Sequence, residues 1–336
     1  MAFVRTSNDV LVAKGFQGLN GARIFDGSGF PSSGTSGTGV NARNGQGAPN
    51  GSLYVDVGSE CVFVNEGTKE SPYWTPLSFN QRGLVGLLTD WNGATGRAGS
   101  ATTDNSIDTN GVKYFGQGIE VNDADTAMTV SYPIGGPLLT FGTTNEANHS
   151  SSLGLGGTAG LWKPGTNGVM VADITFTGIT DILTRAFILG FQGDTDGAQE
   201  EALDPIITGS TTTLTFSAVG SAGDNLAGMV MDSRLTAAST IFAFNNKANA
   251  AATQTTTAAA LTVAATMPAA ATYTRWRVEI DTDGTMRCFV DKVLVKTVSA
   301  ALTTTVAHKP VFQMVNTTTT ATLQCGIRRF GTWAAR

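Results

Sequence analysis

From residue 112 to the C-terminus the chain is written in period two. Within 274–281 (TRWRVEID), Trp276, Val278 and Ile280 fall on one side of an extended chain, and Arg277, Glu279 and Asp281 on the other. Successive side chains of a strand point to opposite faces, so this spacing predicts a half-buried β-strand. Thr282-Asp283-Gly284 follows as a hairpin turn, because Asp-Gly accepts the positive φ of a tight turn. Met286, Cys288 and Val290 return on one face, Asp291-Lys292 make a second turn, and Val293–Val298 gives a third strand. The same reading predicts strands over 112–115, 127–132, 138–142, 168–176, 185–191, 211–216, 228–231, 241–245, 310–315 and 324–332. Many short strands with Gly, Asn and Asp turns predict an antiparallel sandwich. Segment 245–274 is rich in alanine, but its dense threonines and Pro268 oppose a long helix. It reads as strands and loops.

The N-terminal part is different. Leu53 and Val55 alternate with Tyr54 and Asp56, Val57 to Glu60 form a turn, and Val62, Phe63 and Val64 return. This predicts a β-hairpin, with a further turn at Asn65-Glu66-Gly67 and an apolar cap of Tyr73, Trp74, Leu77 and Phe79. A lone hairpin is marginal in water, so it packs on another copy or on the rest of the chain. Residues 26–51 are Gly, Ser, Thr and Asn with few apolar side chains, preceded by short apolar patches at 10–16 and 22–25. They read as an extended arm, either without fixed structure or ordered on a partner. Residues 80–111 read as loop, with 83–88 and Trp91 as anchors. The expected organisation is an arm (1–50), a hairpin module (51–80), a linker (81–111) and a sandwich (112–336).

Composition sharpens this. The chain has 336 residues, of which 41% are hydrophobic and only 14% charged, with 41 glycines and a net charge of −5. Charged residues average about 25% in soluble proteins. A weakly charged surface of Thr, Ser, Asn and Gly repels its neighbours little, so copies can pack closely. The acidic balance argues against a nucleic-acid binder, which needs a basic stripe, and against a polybasic membrane-surface protein. The longest apolar runs, such as 186–191, are too short to span a bilayer. The first residues, MAFVRTSNDV, lack the basic and apolar regions of a secretory signal. Three widely spaced cysteines, Cys61, Cys288 and Cys325, make neither a disulfide ladder nor a CxxC knuckle and read as buried free thiols.

The meander RWRVEIDTDGTMRCFVDKVLVKTV (275–298) resembles the back half of concanavalin A-like lectin/glucanase jelly rolls, and GIRRFGTWAA (326–335) is similar to their closing strand. FILGFQGDTDG (187–197) with GMVMDS (228–233) resembles a phage version of that fold. GAPNGSLYVDVGSECVFVNEGTKESPYW (47–74) resembles a hairpin module frequent in tailed-phage structural proteins. The resemblances cover roughly 50–80 and 112–336. They imply an all-β fold, an N-terminal extended arm and β-hairpin followed by an antiparallel jelly-roll sandwich. They also imply a virion structural protein, such as a capsid decoration protein or a fibre, often trimeric.

Three chemical roles compete with structural ones. Glucanases of the resembled fold carry E-x-D-x-E or E-x-D-x-x-E on one strand. Here Glu279 and Asp281 fit, but the last acid is replaced by Asp283-Gly284, which a turn explains, so no catalysis is expected. GDTDG (193–197) and DTDG (281–284) place Asp residues with calcium-like spacing, but neither completes a calcium loop, and a turn is the simpler reading. Trp91, Trp162, Trp276 and Trp333 are candidates for stacking on sugar, against the core role usual for a strand tryptophan. His149 lies in a polar loop.

The expected function is attachment to an assembled phage head, and no cofactor is implied. Phe16, Ile24, Phe25, Leu53, Tyr54, Tyr73 and Trp74 are the expected contacts with the shell or with fellow copies. The expected partners are the major capsid protein and the chain's own copies as a homotrimer, with neither nucleic acid nor membrane. The expected place is the capsid surface of the virion, after synthesis in the host cytoplasm. The alternative is a fibre or adhesin that binds host surface glycans through the jelly roll.

Overall fold

A computed structural model describes residues 4–6, 9–11, 21–34, 48–78, 84–89, 99–100, 105–106, 119–121, 127–131, 138–143, 150–155, 162–177, 185–193, 207–210, 213–216, 226–233, 235, 240–246, 253–255, 262–266, 272–316 and 323–335. Two large antiparallel sheets pack face to face. The first runs in the order Val293–Val298, Met286–Val290, Tyr273–Ile280, Met170–Thr177, Leu323–Ala335, Leu138–Thr143, Ala127–Ser131, Gly99–Ser100, and Leu84–Thr89 also pairs with Leu323–Ala335. The second runs Thr262–Thr266, Thr240–Asn246, Leu226–Asp232, Arg185–Gly193, His308–Asn316, Ser150–Leu155, Ile119–Val121, Asn105–Ser106. Among the described residues, helix is confined to the four-residue turn Pro164–Asn167. The architecture is the antiparallel sandwich that the period-two pattern predicts, and the jelly roll that the resemblance implies.

The inner faces form the main core. Ile174, Phe176, Trp276, Val278 and Ile280 of the first sheet meet Phe187, Leu189, Phe191, Met229, Met231, Phe312 and Met314 of the second. Phe176 meets Trp276 edge-on, with ring centroids 5.2 Å apart. The second sheet is also buried on its other face, where Ile188, Val230, Phe242, Phe244 and Val311 cluster. A strand covered on both sides loses the apolar–polar alternation, which is why 186–191 reads as an unbroken apolar run.

A third sheet is built by the N-terminal residues: Val4–Thr6, Asp9–Leu11, Ile24–Gly27, Leu53–Asp56, Cys61–Asn65 and Trp74–Pro76 in that order. The hairpin forms with the expected turn, Asp56 opposite Cys61, and Ile24–Gly27 joins it in parallel. One face, carrying Phe25, Tyr54, Phe63 and Trp74, is buried with Val171 and Trp333 from the outer face of the first jelly-roll sheet.

The structure departs from the sequence reading where pairing rather than pattern decides. The segment expected as a linker contributes Leu84–Thr89, Gly99–Ser100 and Asn105–Ser106. Ser150–Leu155 (SSSLGL) carries almost no apolar signal and is a strand because it pairs with His308–Asn316. The strand expected at 112–115, Trp91 and His149 lie outside the described residues.

Two local features carry predictions. The turn between Met286–Val290 and Val293–Val298 has two central residues, Asp291 and Lys292, both at positive φ (49° and 70°). Such a turn suits Asn-Gly, and a β-carbon at positive φ is strained. Lys292→Gly is expected to raise stability by about 1 kcal/mol in denaturant melts. The Lys292 contact that is lost, to Glu66 at 3.3 Å, is exposed and contributes little.

His308 opens a central strand, and its backbone exchanges hydrogen bonds with Trp162 at 2.7 and 3.1 Å. It is fully buried, and burial pushes its imidazole down to about 4. The unfolded chain protonates this group near 6.5 while the fold keeps it neutral. Its contribution is therefore intact above pH about 6.5 and is lost as the pH falls towards 4. A steep decline of Tm over that interval, flattened by His308→Gln, is the expected result.

Candidate functional site

The interface between the N-terminal sheet and the first jelly-roll sheet concentrates the chain's scarce charge. Strand Tyr273–Ile280 turns Trp276, Val278 and Ile280 into the core, so Arg275, Arg277 and Glu279 must project outward. The neighbouring strand brings Asp173 directly opposite Arg277. On its other side Asp173 faces Gly331, which carries no side chain to crowd it.

Arg277 is fully buried and organises the site. Its guanidinium carbon lies 3.5 Å from the centre of the Tyr73 ring and 4.9 Å from that of Trp333. Its Nε donates to Asp173 Oδ2 at 2.7 Å. Its Nη1 donates to the Trp74 carbonyl at 2.7 Å and to Glu279 Oε1 at 3.2 Å. Its Nη2 donates to the Thr75 hydroxyl at 3.1 Å. Asp173 also accepts from Tyr73 Oη at 2.9 Å and from Arg275, whose Nη1 reaches Glu66 at 3.1 Å. The hairpin thus supplies an aromatic ring, a carbonyl and two hydroxyls to a charged centre owned by the jelly roll.

A second strap completes the lock. Ser33 N–H donates to Glu279 Oε2 at 3.0 Å, and Ser33 Oγ accepts from Trp74 N–H at 3.0 Å. Ser32 Oγ donates to Asp281 Oδ1 at 3.0 Å, and Asp281 Oδ2 also pairs with Arg287. Gly34, at φ +107°, lies so close that a β-carbon there would stand 3.2 Å from the side chains of Arg287 and Leu294. Asn65, read from sequence only as a turn residue, holds the Tyr73 approach: its Oδ1 accepts from Gly67 N–H and Tyr73 N–H, both at 2.8 Å.

The electrostatics follow from burial and pairing. Burial alone would raise the Asp173 carboxyl, but Arg277 and Arg275 override it and hold the group well below the usual carboxylate range. For Glu279 burial wins, and its carboxyl is pushed up despite Arg277 and the Ser33 N–H. Burial likewise pushes the Tyr73 phenol well up. Asp173 therefore adds stability above its unfolded titration near pH 4, while ionised Glu279 costs stability as the pH rises past its own.

The expected site residues separate by face. Phe25, Tyr54, Tyr73 and Trp74 are buried against the chain's own jelly roll or within the N-terminal sheet, whereas Ile24 and Leu53 lie on the opposite, partly exposed face. Phe16 lies outside the described residues. Glu279 and Asp281 do share one strand face, but in this arrangement their oxygens are taken up by Arg277, Ser33, Arg287 and Ser32. Asp283 accepts from Thr285 N–H within the turn. Among the described residues, no group of three or more His, Cys, Asp or Glu is placed to hold a metal ion. Trp162, Trp276 and Trp333 are core residues, and Cys61, Cys288 and Cys325 are buried free thiols. The pairing of Asp173 with Arg277 is not legible from alternation; its sequence signal is an acid inside an otherwise apolar strand (MVADITF) and an Arg-x-Arg-x-Glu run on an outward face.

No family model and no curated protein matches the sequence. Solved structures do resemble the fold. They include an endo-1,3-beta-glucanase from Streptomyces sioyaensis, 12% identical, TM-score 0.42, covering 75% of this chain and 96% of that one. They also include a glycoside hydrolase family 16 endo-glucanase from Bacteroides ovatus, 11% identical, TM-score 0.41, covering 73% and 98%. The carbohydrate recognition domain of Emp46p is 10% identical, TM-score 0.37, covering 61% and 85%. Likeness at this level concerns the fold alone. It corrects the expectation that catalysis is excluded. Endo-glucanases and a carbohydrate recognition domain both stand among the similar structures, so the expected absence of catalysis is left open.

Proposed function

We propose that the chain is a structural component of a tailed-phage virion, a capsid decoration protein made in the host cytoplasm and attached to the head through its N-terminal sheet. The observation that supports this reading is the division of that sheet's two faces. The inner face is committed to the jelly roll through Tyr54, Phe63 and Trp74. The outer face carries Ile24, Leu53, Val55, Val62 and Val64, all partly exposed, with Val57 and Leu77 each 61% exposed at its end. An outward apolar face on a sheet held rigidly from behind is a surface for another body. In this reading the shell's major capsid protein covers it, and copies assemble as trimers. Binding that prefers the assembled shell stabilises it by mass action.

The test is co-sedimentation of the full chain with shells purified from the phage that encodes it. Val57→Asp with Leu77→Asp is expected to cut binding by about tenfold or more, the cost of burying a charge in an apolar contact. Because both positions are exposed, Tm stays unchanged. Absence of the chain from purified particles, or unaltered binding by the variant, sinks the reading. Glycan-array binding by the full chain without shell affinity would favour the fibre or adhesin alternative.

A further inference from the structure

The charged interface gathers five cations, Arg275, Arg277, Arg287, Arg329 and Lys292, and five carboxylates, Asp173, Glu66, Glu279, Asp281 and Asp291. Those carboxylates are already engaged. Asp173 accepts from Arg275, Arg277 and Tyr73; Glu66 from Arg275 and Lys292; Glu279 from Arg277 and Ser33. Arg329 is the interface cation that makes no ion pair among the described residues. It lies opposite Thr175, whose other side faces Arg275, so Arg329, Thr175 and Arg275 form one row across three strands of the outer face. The Arg329 Nε is buried without an acceptor among the described residues.

We infer that Arg329 heads an oxyanion subsite at the rim of the interface, taking a carboxylate, sulfate or phosphate group beside the Thr175 hydroxyl. A guanidinium presents a planar fork of donors that matches such groups two bonds at a time. A desolvated donor without an acceptor costs free energy that an arriving anion recovers. The electrostatics agree in direction. Burial lowers the Arg329 pKa; Asp173 opposes it, and repulsion from Arg275 and Arg277 adds to the lowering.

The experiment is thermal denaturation of the full chain in sodium sulfate, inorganic phosphate or glucuronate, against sodium chloride at equal ionic strength and against glucose. At an excess of a hundredfold over the dissociation constant, wild type is expected to gain about 4–5 °C. Arg329→Gln is expected to melt no lower than wild type in chloride and to ignore all three anions. Arg328→Gln, which removes an exposed guanidinium stacked on Tyr273, keeps the response. A response to sulfate or phosphate alone assigns an inorganic-type group; a response to glucuronate assigns an acidic sugar. No anion-specific gain in wild type, an equal gain in Arg329→Gln, or a destabilised Arg329→Gln in chloride would each overturn the site. Should that variant fail to fold, selenate soaked into wild-type crystals decides: an anomalous peak within hydrogen-bond distance of the Arg329 guanidinium supports the site, and its absence refutes it.

Discussion

Arg277→Met is expected to lower the unfolding free energy by about 3–5 kcal/mol, the cost of removing one partner from a buried ion pair. The side chain is fully buried, so no water replaces what it loses. Met roughly fills the volume between Tyr73 and Trp333 but donates nothing. Asp173 keeps Arg275 and Tyr73, whereas Glu279 keeps Ser33 and the more distant charge of Arg287. The Trp74 carbonyl and the Thr75 hydroxyl lose their donor. Because those two groups belong to the hairpin, the loss falls on the contact between the N-terminal sheet and the jelly roll. Denaturant melts measure the total. Hydrogen exchange locates it, with residues 48–78 losing protection before 273–298. Arg275→Met is the graded control: Asp173 keeps Arg277 and Tyr73 when it is lost, and its other partner Glu66 is 28% exposed, so about 1–2 kcal/mol is expected. Equal small losses from both variants would mean that the network is not what holds the module.

Gly190→Ala is expected to cost about 3 kcal/mol, at the upper end for overpacking, or to abolish soluble expression. Gly190 and Gly228 sit directly opposite each other on the two central strands Arg185–Gly193 and Leu226–Asp232. A β-carbon on Gly190 would stand 2.3 Å from the Ala227 carbonyl oxygen and 2.9 Å from the Gly228 α-carbon. Both obstacles are backbone, so no rotamer change relieves them. The strands would have to part in a sheet buried on both faces. Gly228→Ala meets the Leu189 carbonyl oxygen at 2.2 Å and should behave alike. Gly29→Ala is the contrast: nothing lies within 4 Å of its β-carbon, and only its φ of +92° is strained, about 1 kcal/mol. Thermal melts of the three variants order these costs. A Gly190→Ala protein melting with wild type would show that the two strands have slack the geometry denies.

Which strands were legible follows from the range of the forces that make them. Tyr273–Ile280, Met286–Val290 and Val293–Val298 were readable because one face of each turn-linked strand meets the core, and because Asp-Gly and a two-residue turn fix the register locally. Ser150–Leu155 was not, since its partner lies more than 150 residues away and its own side chains carry no pattern. The candidate site shows the same split. Alternation alone placed Arg277, Glu279 and Asp281 on the outward face of their strand. That Asp173 stands opposite Arg277, and that Tyr73 and Ser33 close over them, depends on contacts across 100 to 246 residues.

By itself the sequence determined an all-β chain: β-branched and aromatic residues in period two, punctuated by residues that tolerate positive φ. These are nearest-neighbour effects, written locally. The tertiary structure decided what lies over the outward face of that strand. An extended strand with polar outward residues looks the same whether water or another sheet covers it. The difference is made by desolvation, which only the assembled fold imposes. It turned Arg277 from a solvated side chain into a buried one with four acceptors, and left Arg329 beside it with none among the described residues.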